Sequence, residues 1–473
     1  MQCGAVNRTM TGSMIEKDYR VVVGMGKTGF SCAQFLARAG LSFCAVDTRA
    51  NPPMLESFRE AFPDVFLQTG NIDPELLANA TEIVMSPGLS TSEAFLNAAK
   101  TRHIPLVGDI ELFYRQARAP IVAITGSNAK STVTTLVGEM AKAARVNVAV
   151  GGNLGTPALE LLDDAVELYV LELSSFQLEL VNTFSAKVAA FLNISEDHMD
   201  RYTSLNDYIA AKRAIFNRCE IAVFNIQDRH TYPSATTSCK QVTFGVDQSS
   251  GNNKQRSDFG VITINNKQYL AKHAELLLDV GELKIAGMHN VSNALAALAI
   301  GEAAGLPMPV MCEVLKKFTG LPHRCQLVKT IHQVRYINDS KGTNVGATLA
   351  AIEGLAERHE NKSRKNIVLI AGGEGKGADF TPLHDACQQS VKACVLIGRD
   401  APLIAKAVAD ATQVVYAMDM PSAVQAASEL ATAHDTVLLS PACASFDMFK
   451  NYEHRGECFV QAVDALSVQE SKR

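Results

Sequence analysis

The sequence predicts an α/β protein of three domains built on parallel sheets, and three observations lead there. The chain has 473 residues, more than the roughly 250–300 at which a single core stops growing. Runs rich in Val, Ile and Leu alternate with helical patterns almost throughout. Two of those runs end in glycine-containing loops that open helices, so the strand–loop–helix start occurs twice.

The strand-like runs include Tyr19–Val23, Ile121–Thr125, Leu168–Glu172, Val188–Asn193, Ile367–Ala371 and Thr436–Leu439. Between them lie helical patterns such as Lys130–Ala144, where Val133, Leu136, Val137 and Met140 recur at helical spacing. A first block runs from about Tyr19 to Val107. The second start at Ile121 implies a new domain, and the turn-rich Gly320-Leu321-Pro322 precedes a third. The expected boundaries are a disordered tail at 1–17, then 18–109, 110–321 and 322–473. Asp247–Asp258, rich in Ser, Asn and Gln, reads as an exposed loop. A hairpin, Val261–Ile264 with Gln268–Leu270 around Asn265-Asn266, is expected after it.

Composition narrows the function classes. A net charge of −5 without a long basic run argues against a nucleic-acid partner. The eleven cysteines are odd in number and form no C-x-x-C pair, so neither a zinc knuckle nor a disulfide framework is expected; reduced cytosolic thiols are. The first eighteen residues contain no apolar signal-type run. The apolar stretch Ala294 to Met308 is too short to span a bilayer and contains Glu302. The expectation is a cytoplasmic protein with no membrane partner.

The first loop, Gly24-Met25-Gly26-Lys27-Thr28-Gly29, has G-x-G-x-x-G spacing, and Asp47 follows at the end of the next strand. Glycines permit a tight turn and close backbone approach, and a helix N-terminus attracts phosphate. The direct reading is an NAD site with Asp47 on a ribose; the bland one is a glycine turn needed for packing. Ser86-Pro87-Gly88 would lie on the same sheet edge. The second loop, Thr125-Gly126-Ser127-Asn128-Ala129-Lys130-Ser131-Thr132, is P-loop-like. Backbone N–H groups would wrap a phosphate of ATP, Lys130 would neutralise it, and the Ser131 hydroxyl could ligate Mg²⁺. The full pattern is not met, because Ile124 and Ala129 stand at its glycine positions.

Glu172, at a strand end, and His198, in a following loop, could serve a divalent metal near that loop; alone, each would more often be a cap or a satisfied polar group. In Leu205–Phe216, Lys212 falls on the apolar stripe of Leu205, Ile209 and Phe216. It is either a snorkelling lysine or a neutral amine able to take up CO₂ as a carbamate, an oxygen ligand for Mg²⁺.

Together these segments resemble the Mur ligases of peptidoglycan synthesis, most closely the branch that adds D-glutamate. The resemblance runs from about Tyr19 to the end. It rests on Thr125–Thr132, Leu171–Gln177, Glu196–Tyr202, Gly287–Asn293, Leu321–Arg324, Asn338–Asn344, Gly372–Phe380 and Ser440–Asn451. It implies a Rossmann-like N-terminal domain that holds UDP, a central P-loop ATPase-like domain with a parallel sheet, and a Rossmann-like C-terminal domain for the amino acid. It also implies that Met25, Lys27, Thr28, Asp47, Thr48, Arg49, Ser86 and Gly88 line the UDP site, with Asn153 on the substrate, which replaces the NAD reading. ATP would meet Gly126, Ser127, Asn128, Ala129, Lys130, Ser131, Thr132, Asn290, Asn293, Arg324 and Asp339. Two Mg²⁺ would draw on Ser131, Glu172, His198 and N-carboxylated Lys212, and D-glutamate would meet Thr343, Lys376, Ser445, Phe446 and Tyr452. Lys130, His198, Lys212 and Lys341 are the expected catalytic residues. The implied activity is ATP-dependent addition of D-glutamate to UDP-N-acetylmuramoyl-L-alanine through an acyl phosphate, by a monomer acting on small molecules.

The chain departs from the family pattern at three places. Ala129 stands for a glycine, Lys27 for an apolar residue, and Tyr452 for a phenylalanine. Rival readings are an NAD-dependent oxidoreductase, a non-catalytic nucleotide-regulated binding protein, and a sister ligase adding L-alanine or a diamino acid.

Overall fold

The computed structural model describes residues 18–246, 257–285, 287–356, 358–359, 362–363 and 365–470. The expected tail at 1–17 and most of the expected loop at 247–258 lie outside the described residues. The chain forms two compact units. One comprises the residues up to Ala123 with Asn147–Lys187 and Asn217–Cys219. The other comprises Ile124–Val146, Val188–Phe216 and Glu220 onward.

The first unit opens with β1 (Arg20–Val23), β2 (Phe43–Asp47), β3 (Leu67–Thr69), β4 (Glu82–Met85) and β5 (Leu106–Val107), in the order β3-β2-β1-β4-β5. Every pairing is parallel. Val21, Val22, Val23, Ile83, Val84 and Met85 are fully buried, as a sheet covered on both faces requires. β6 (Ile121–Thr125) begins in this unit beside β8 (Leu168–Glu172), which pairs in parallel with β7 (Val148–Gly152).

In the second unit the end of β6 is followed outward by β9 (Val188–Phe191), β10 (Ile221–Asn225), β11 (Lys240–Phe244), β12 (Phe259–Ile264), β13 (Lys267–Lys272) and β14 (Glu275–Asp279). The pairing is parallel from β9 to β12 and antiparallel beyond. The β12–β13 hairpin turns at Asn265 and Asn266, with φ of 51° and 61°, as a two-residue turn with two left-handed positions requires. β9 stops at Phe191, two residues short of the expected end, because the chain at Asn193 turns its amide onto a neighbouring loop.

The same unit holds a six-stranded sheet. Its strands are β15 (Gln326–Ile331), β16 (Val334–Asn338), β19 (Ile367–Gly372), β20 (Val391–Ile397), β21 (Gln413–Tyr416) and β22 (Thr436–Leu439), ordered β15-β16-β22-β19-β20-β21. Only the edge strand β15 runs antiparallel. β17 (Arg358–His359) and β18 (Lys362–Ser363) form a separate ribbon. Apolar cores cover both faces of the six-stranded sheet. The described cysteines are all free thiols. No described helix is long and apolar enough to cross a membrane.

Candidate active site

In the first unit, β1 runs into Gly24, whose φ of +91° and closeness to the Ser86 side chain leave no room for a Cβ. A Cβ on Gly29 would strike the Gly24 carbonyl oxygen, so the third glycine of the motif lets helix Lys27–Arg38 sit on the loop. Asp47 is 1% exposed, and its carboxylate is fully engaged by the protein. It accepts from Met25 N (2.6 Å), Arg49 N (2.8 Å), Arg49 Nε (2.9 Å) and Arg49 Nη2 (2.7 Å). Burial works against that charge, but Arg49 and the backbone N–H groups outweigh it and hold the carboxyl below its ordinary range. A carboxylate with four donors has no lone pair left for a ribose. Asp47 instead fixes Arg49, whose guanidinium is half exposed; Lys27, Thr48 and Gly88 are exposed too, and Thr28 and Ser86 partly so. Also in this unit, Asn153 Nδ2 donates to Glu172 Oε1 (2.8 Å) at the end of β8, where Glu172 is 3% exposed.

In the second unit, β6 delivers Gly126–Ala129 and helix Lys130–Ala143 follows. Lys130 Nζ folds back onto the Gly126 and Ser127 carbonyls (2.8 and 3.0 Å). Ala129 has φ 65° and ψ −5°, a left-handed conformation in which a methyl side chain is strained. The loop is braced from β9. Asn193 takes Asn128 N on its Oδ1 (2.8 Å) and returns Nδ2 to Asn128 O (3.2 Å). The Ser127 hydroxyl donates to Ser195 O (3.0 Å), accepts from Ser195 N (3.0 Å) and lies 3.2 Å from Tyr208 Oη. Lys212 is 2% exposed, donates to Gly126 O (2.9 Å) and stands 4.8 Å from the centroid of the Tyr208 ring.

Beyond the loop is a cavity of about 990 Å³, lined by Asn128, Ala129, Asn290, Asn293, Arg324 and Asp339 among others. Arg324 Nη2 donates to Ser131 Oγ (2.7 Å). Asp339 accepts from Cys325 N (3.1 Å) and Ser440 Oγ (2.7 Å). Burial raises its pKa to about 6, against those hydrogen bonds and Arg324. Lys341 lies 3.9 Å from the centroid of the Tyr452 ring, a cation–π contact.

His198 has φ 59° and sits beside Asp197, with Nε2 to Oδ2 at 3.8 Å. Burial lowers its pKa, Asp197 opposes this, and Lys376 adds to it, so the neutral imidazole is favoured. The Gly372–Phe380 and Ser440–Asn451 loops are joined where Glu374 and Ala444 exchange backbone hydrogen bonds (3.0 and 2.8 Å). Ser445 is buried there and Phe446 is 69% exposed. Beneath them Arg455, fully buried, donates to Ser340 Oγ (3.0 Å), Ser340 O (2.7 Å) and Cys443 O (3.0 Å). Of the expected ATP residues, Asn128, Ala129, Thr132, Asn290, Asn293, Arg324 and Asp339 line one cavity with Lys341, and Gly126, Ser127, Lys130 and Ser131 do not; the expected UDP residues, with Asn153 and Glu172, belong to the first unit. Sequence reading missed Asn193, Ser195, Asp197, Asn344 and Arg455. Four lie in or beside quoted motifs and were not singled out because their partners are distant along the chain, and Arg455 resembles any surface helix arginine until its burial is seen.

Comparison with known proteins divides the chain differently, into three consecutive segments. Sequence models match residues 18–108 (Mur ligase MurD-like, N-terminal domain), 124–301 (Mur ligase middle domain) and 323–443 (Mur ligase, glutamate ligase domain). The chain belongs to the Mur ligase family. Among the Mur ligases similar to it is the UDP-N-acetylmuramoylalanine–D-glutamate ligase of Pseudomonas savastanoi pv. phaseolicola, 53% identical over 456 residues, 96% of this chain and 100% of that one. The ligase of the same name from Pseudomonas aeruginosa is 52% identical over the same shares. A solved pseudomurein peptide ligase type C from Methanothermus fervidus shares the fold, with a TM-score of 0.61 at 18% identity, over 95% of this chain and 99% of that one.

Proposed function

We propose that this Mur ligase uses ATP to join D-glutamate to UDP-N-acetylmuramoyl-L-alanine through an acyl phosphate, as a step of peptidoglycan precursor synthesis. The observation that carries the reading is full-length identity above 50% to ligases bearing that name, on a chain in which Gly126–Ala129 lead from a strand into helix Lys130–Ala143.

In this reading ATP occupies the cavity beside Asn290 and Asn293, and its phosphates lie along Gly126–Thr132. Lys130, now folded onto two loop carbonyls, swings to the phosphates, and Arg324 releases Ser131. The substrate carboxylate attacks the γ-phosphorus in line as the bond to the bridging oxygen breaks and ADP leaves, a transfer that demands positioning and charge neutralisation above all. The amine of D-glutamate, held by Thr343, Lys376, Ser445, Phe446 and Tyr452, then attacks the acyl carbonyl and phosphate leaves. Arg49, held by Asp47, and Lys27 face the UDP moiety.

Mg²⁺ fits the chemistry of the residues. Ser131, Glu172 and His198 are oxygen and imidazole donors, and Lys212 is buried where an N-carboxylated side chain would present oxygens. No cluster of three or more His, Cys, Asp or Glu among the described residues could hold the ion alone, so phosphate oxygens and that carbamate would complete the two sites. When bound, the ions would neutralise charge on the phosphates.

The test is phosphate release from ATP and Mg²⁺, with each candidate amino acid supplied separately and each substrate omitted in turn. Release that requires both the nucleotide sugar and D-glutamate is expected. Release with L-alanine or a diamino acid instead would move the enzyme to a sister step, and none with any would end the ligase reading. A Lys212→Ala variant should lose most activity and regain part with short carboxylates; full activity would remove the carbamate.

A further inference from the structure

The residues that brace the phosphate loop also reach the amino-acid loops, and one carboxamide makes most of the connection. Asn344 is 5% exposed and uses both ends of its amide. Its Oδ1 caps helix Val345–Leu355 by accepting from Ala347 N (2.8 Å) and also accepts from Asn128 Nδ2 (3.4 Å). Its Nδ2 donates to Asn128 Oδ1 (3.1 Å) and to Asp197 Oδ2 (3.3 Å). Asn128 cannot yield, because Asn193 holds its backbone at both ends. Asp197 in turn faces Lys376 Nζ at 3.8 Å. Two residues on, Gly346 packs so closely on Ser195 that a Cβ would lie 2.7 Å from the serine Cβ. Thr343 and Lys376, both expected to meet the incoming amino acid, are therefore tied to the loop expected to hold the transferring phosphate.

We propose that Asn344 is a positioning residue that sets the register of the amino-acid loops against the phosphate loop, so that the amine arrives in line with the activated carbonyl. The proposal rests on the ligase reading above. A carboxamide suits this position because it accepts from Ala347 N and Asn128 Nδ2 while making two donor contacts, to Asn128 Oδ1 and Asp197 Oδ2, where a hydroxyl has one O–H to give. Aspartate would keep the helix cap while losing the donor and facing Asp197 with like charge.

The experiment compares full-length wild type with Asn344→Asp, Asn344→Ala, Asn128→Ala, the Asn128→Ala/Asn344→Ala double variant and Gly346→Ala, by thermal unfolding and steady-state phosphate release. Asn344→Asp should fold with a lowered unfolding midpoint, keep the KM for ATP, raise the KM for D-glutamate and lower kcat about 10- to 100-fold, the scale of a small misplacement of reacting groups. Gly346→Ala, whose methyl favours the helix but wedges against Ser195, should show the same kinetic pattern. The double variant should be no slower than the slower single, as for partners in one interaction. Wild-type kcat in Asn344→Asp, or effects of the two alanines that multiply, would overturn the proposal. If Asn344→Ala does not fold, Asn344→Asp and Gly346→Ala decide. A wild type that releases no phosphate with D-glutamate and the nucleotide sugar would overturn the ligase reading, and this proposal with it, before any variant is compared.

Discussion

Ala129 occupies the most costly backbone position of the loop expected to hold phosphate. In the left-handed region an alanine loses about 1–2 kcal/mol to the clash of Cβ with the carbonyl that follows, and glycine loses none. Ala129→Gly should therefore raise the unfolding midpoint of the second unit by about 2–4 °C while phosphate release persists. A lowered midpoint in differential scanning calorimetry would mean that residue 129 does not hold this conformation in solution. The sequence showed the substitution but not its φ, because strain depends on the angle the loop imposes. Lys212 was half legible at this scale: its place on the stripe of Leu205, Ile209 and Phe216 left a snorkelling lysine and a buried amine both open, and its 2% exposure favours the second. Asn344 was not legible: its importance comes from Asn128 and Asp197, each more than a hundred residues away along the chain.

Among the elements, helix Lys27–Arg38 depends on the bare Cα of Gly29. Gly29→Ala would drive a methyl into the Gly24 carbonyl, and an overpacked contact against backbone costs about 1–3 kcal/mol or more. The variant should unfold earlier in urea and bind UDP-N-acetylmuramoyl-L-alanine more weakly, with ATP affinity unchanged. Calorimetric titration of each ligand checks this, and an equal loss for both would place the damage elsewhere. Elements with strong chemical signatures were read correctly. Continuous Val, Ile and Leu runs gave the buried parallel strands, and Asn265-Asn266 gave the β12–β13 hairpin. The β15–β16 hairpin was missed because it turns through His332 and Gln333, at φ 47° and 64°, where no glycine or asparagine advertises a left-handed turn.

For the whole molecule, the two compact units are woven from alternating segments of chain, a property of three-dimensional contacts that no linear reading exposes. The residues expected to meet the nucleotide sugar at Met25–Gly88, with Asn153, belong to one unit, and those expected to meet ATP belong to the other. Each ligand should then stabilise its own unit. At a hundred times its Kd, a ligand adds about 2.7 kcal/mol to the state that binds it. Calorimetry with UDP-N-acetylmuramoyl-L-alanine and with a non-hydrolysable ATP analogue should move two different transitions; a single transition moved by both would show that the units melt together. Arg455 carries a different consequence. The Ser340 and Cys443 carbonyls that it gathers lie on loops flanking the expected amino-acid pocket, yet the arginine belongs to helix Tyr452–Glu470, which follows both loops in the chain. Until that helix has been made, the Ser340 and Cys443 carbonyls have no guanidinium to gather them, so the loops expected to meet the amino acid are set against each other only at the end of synthesis.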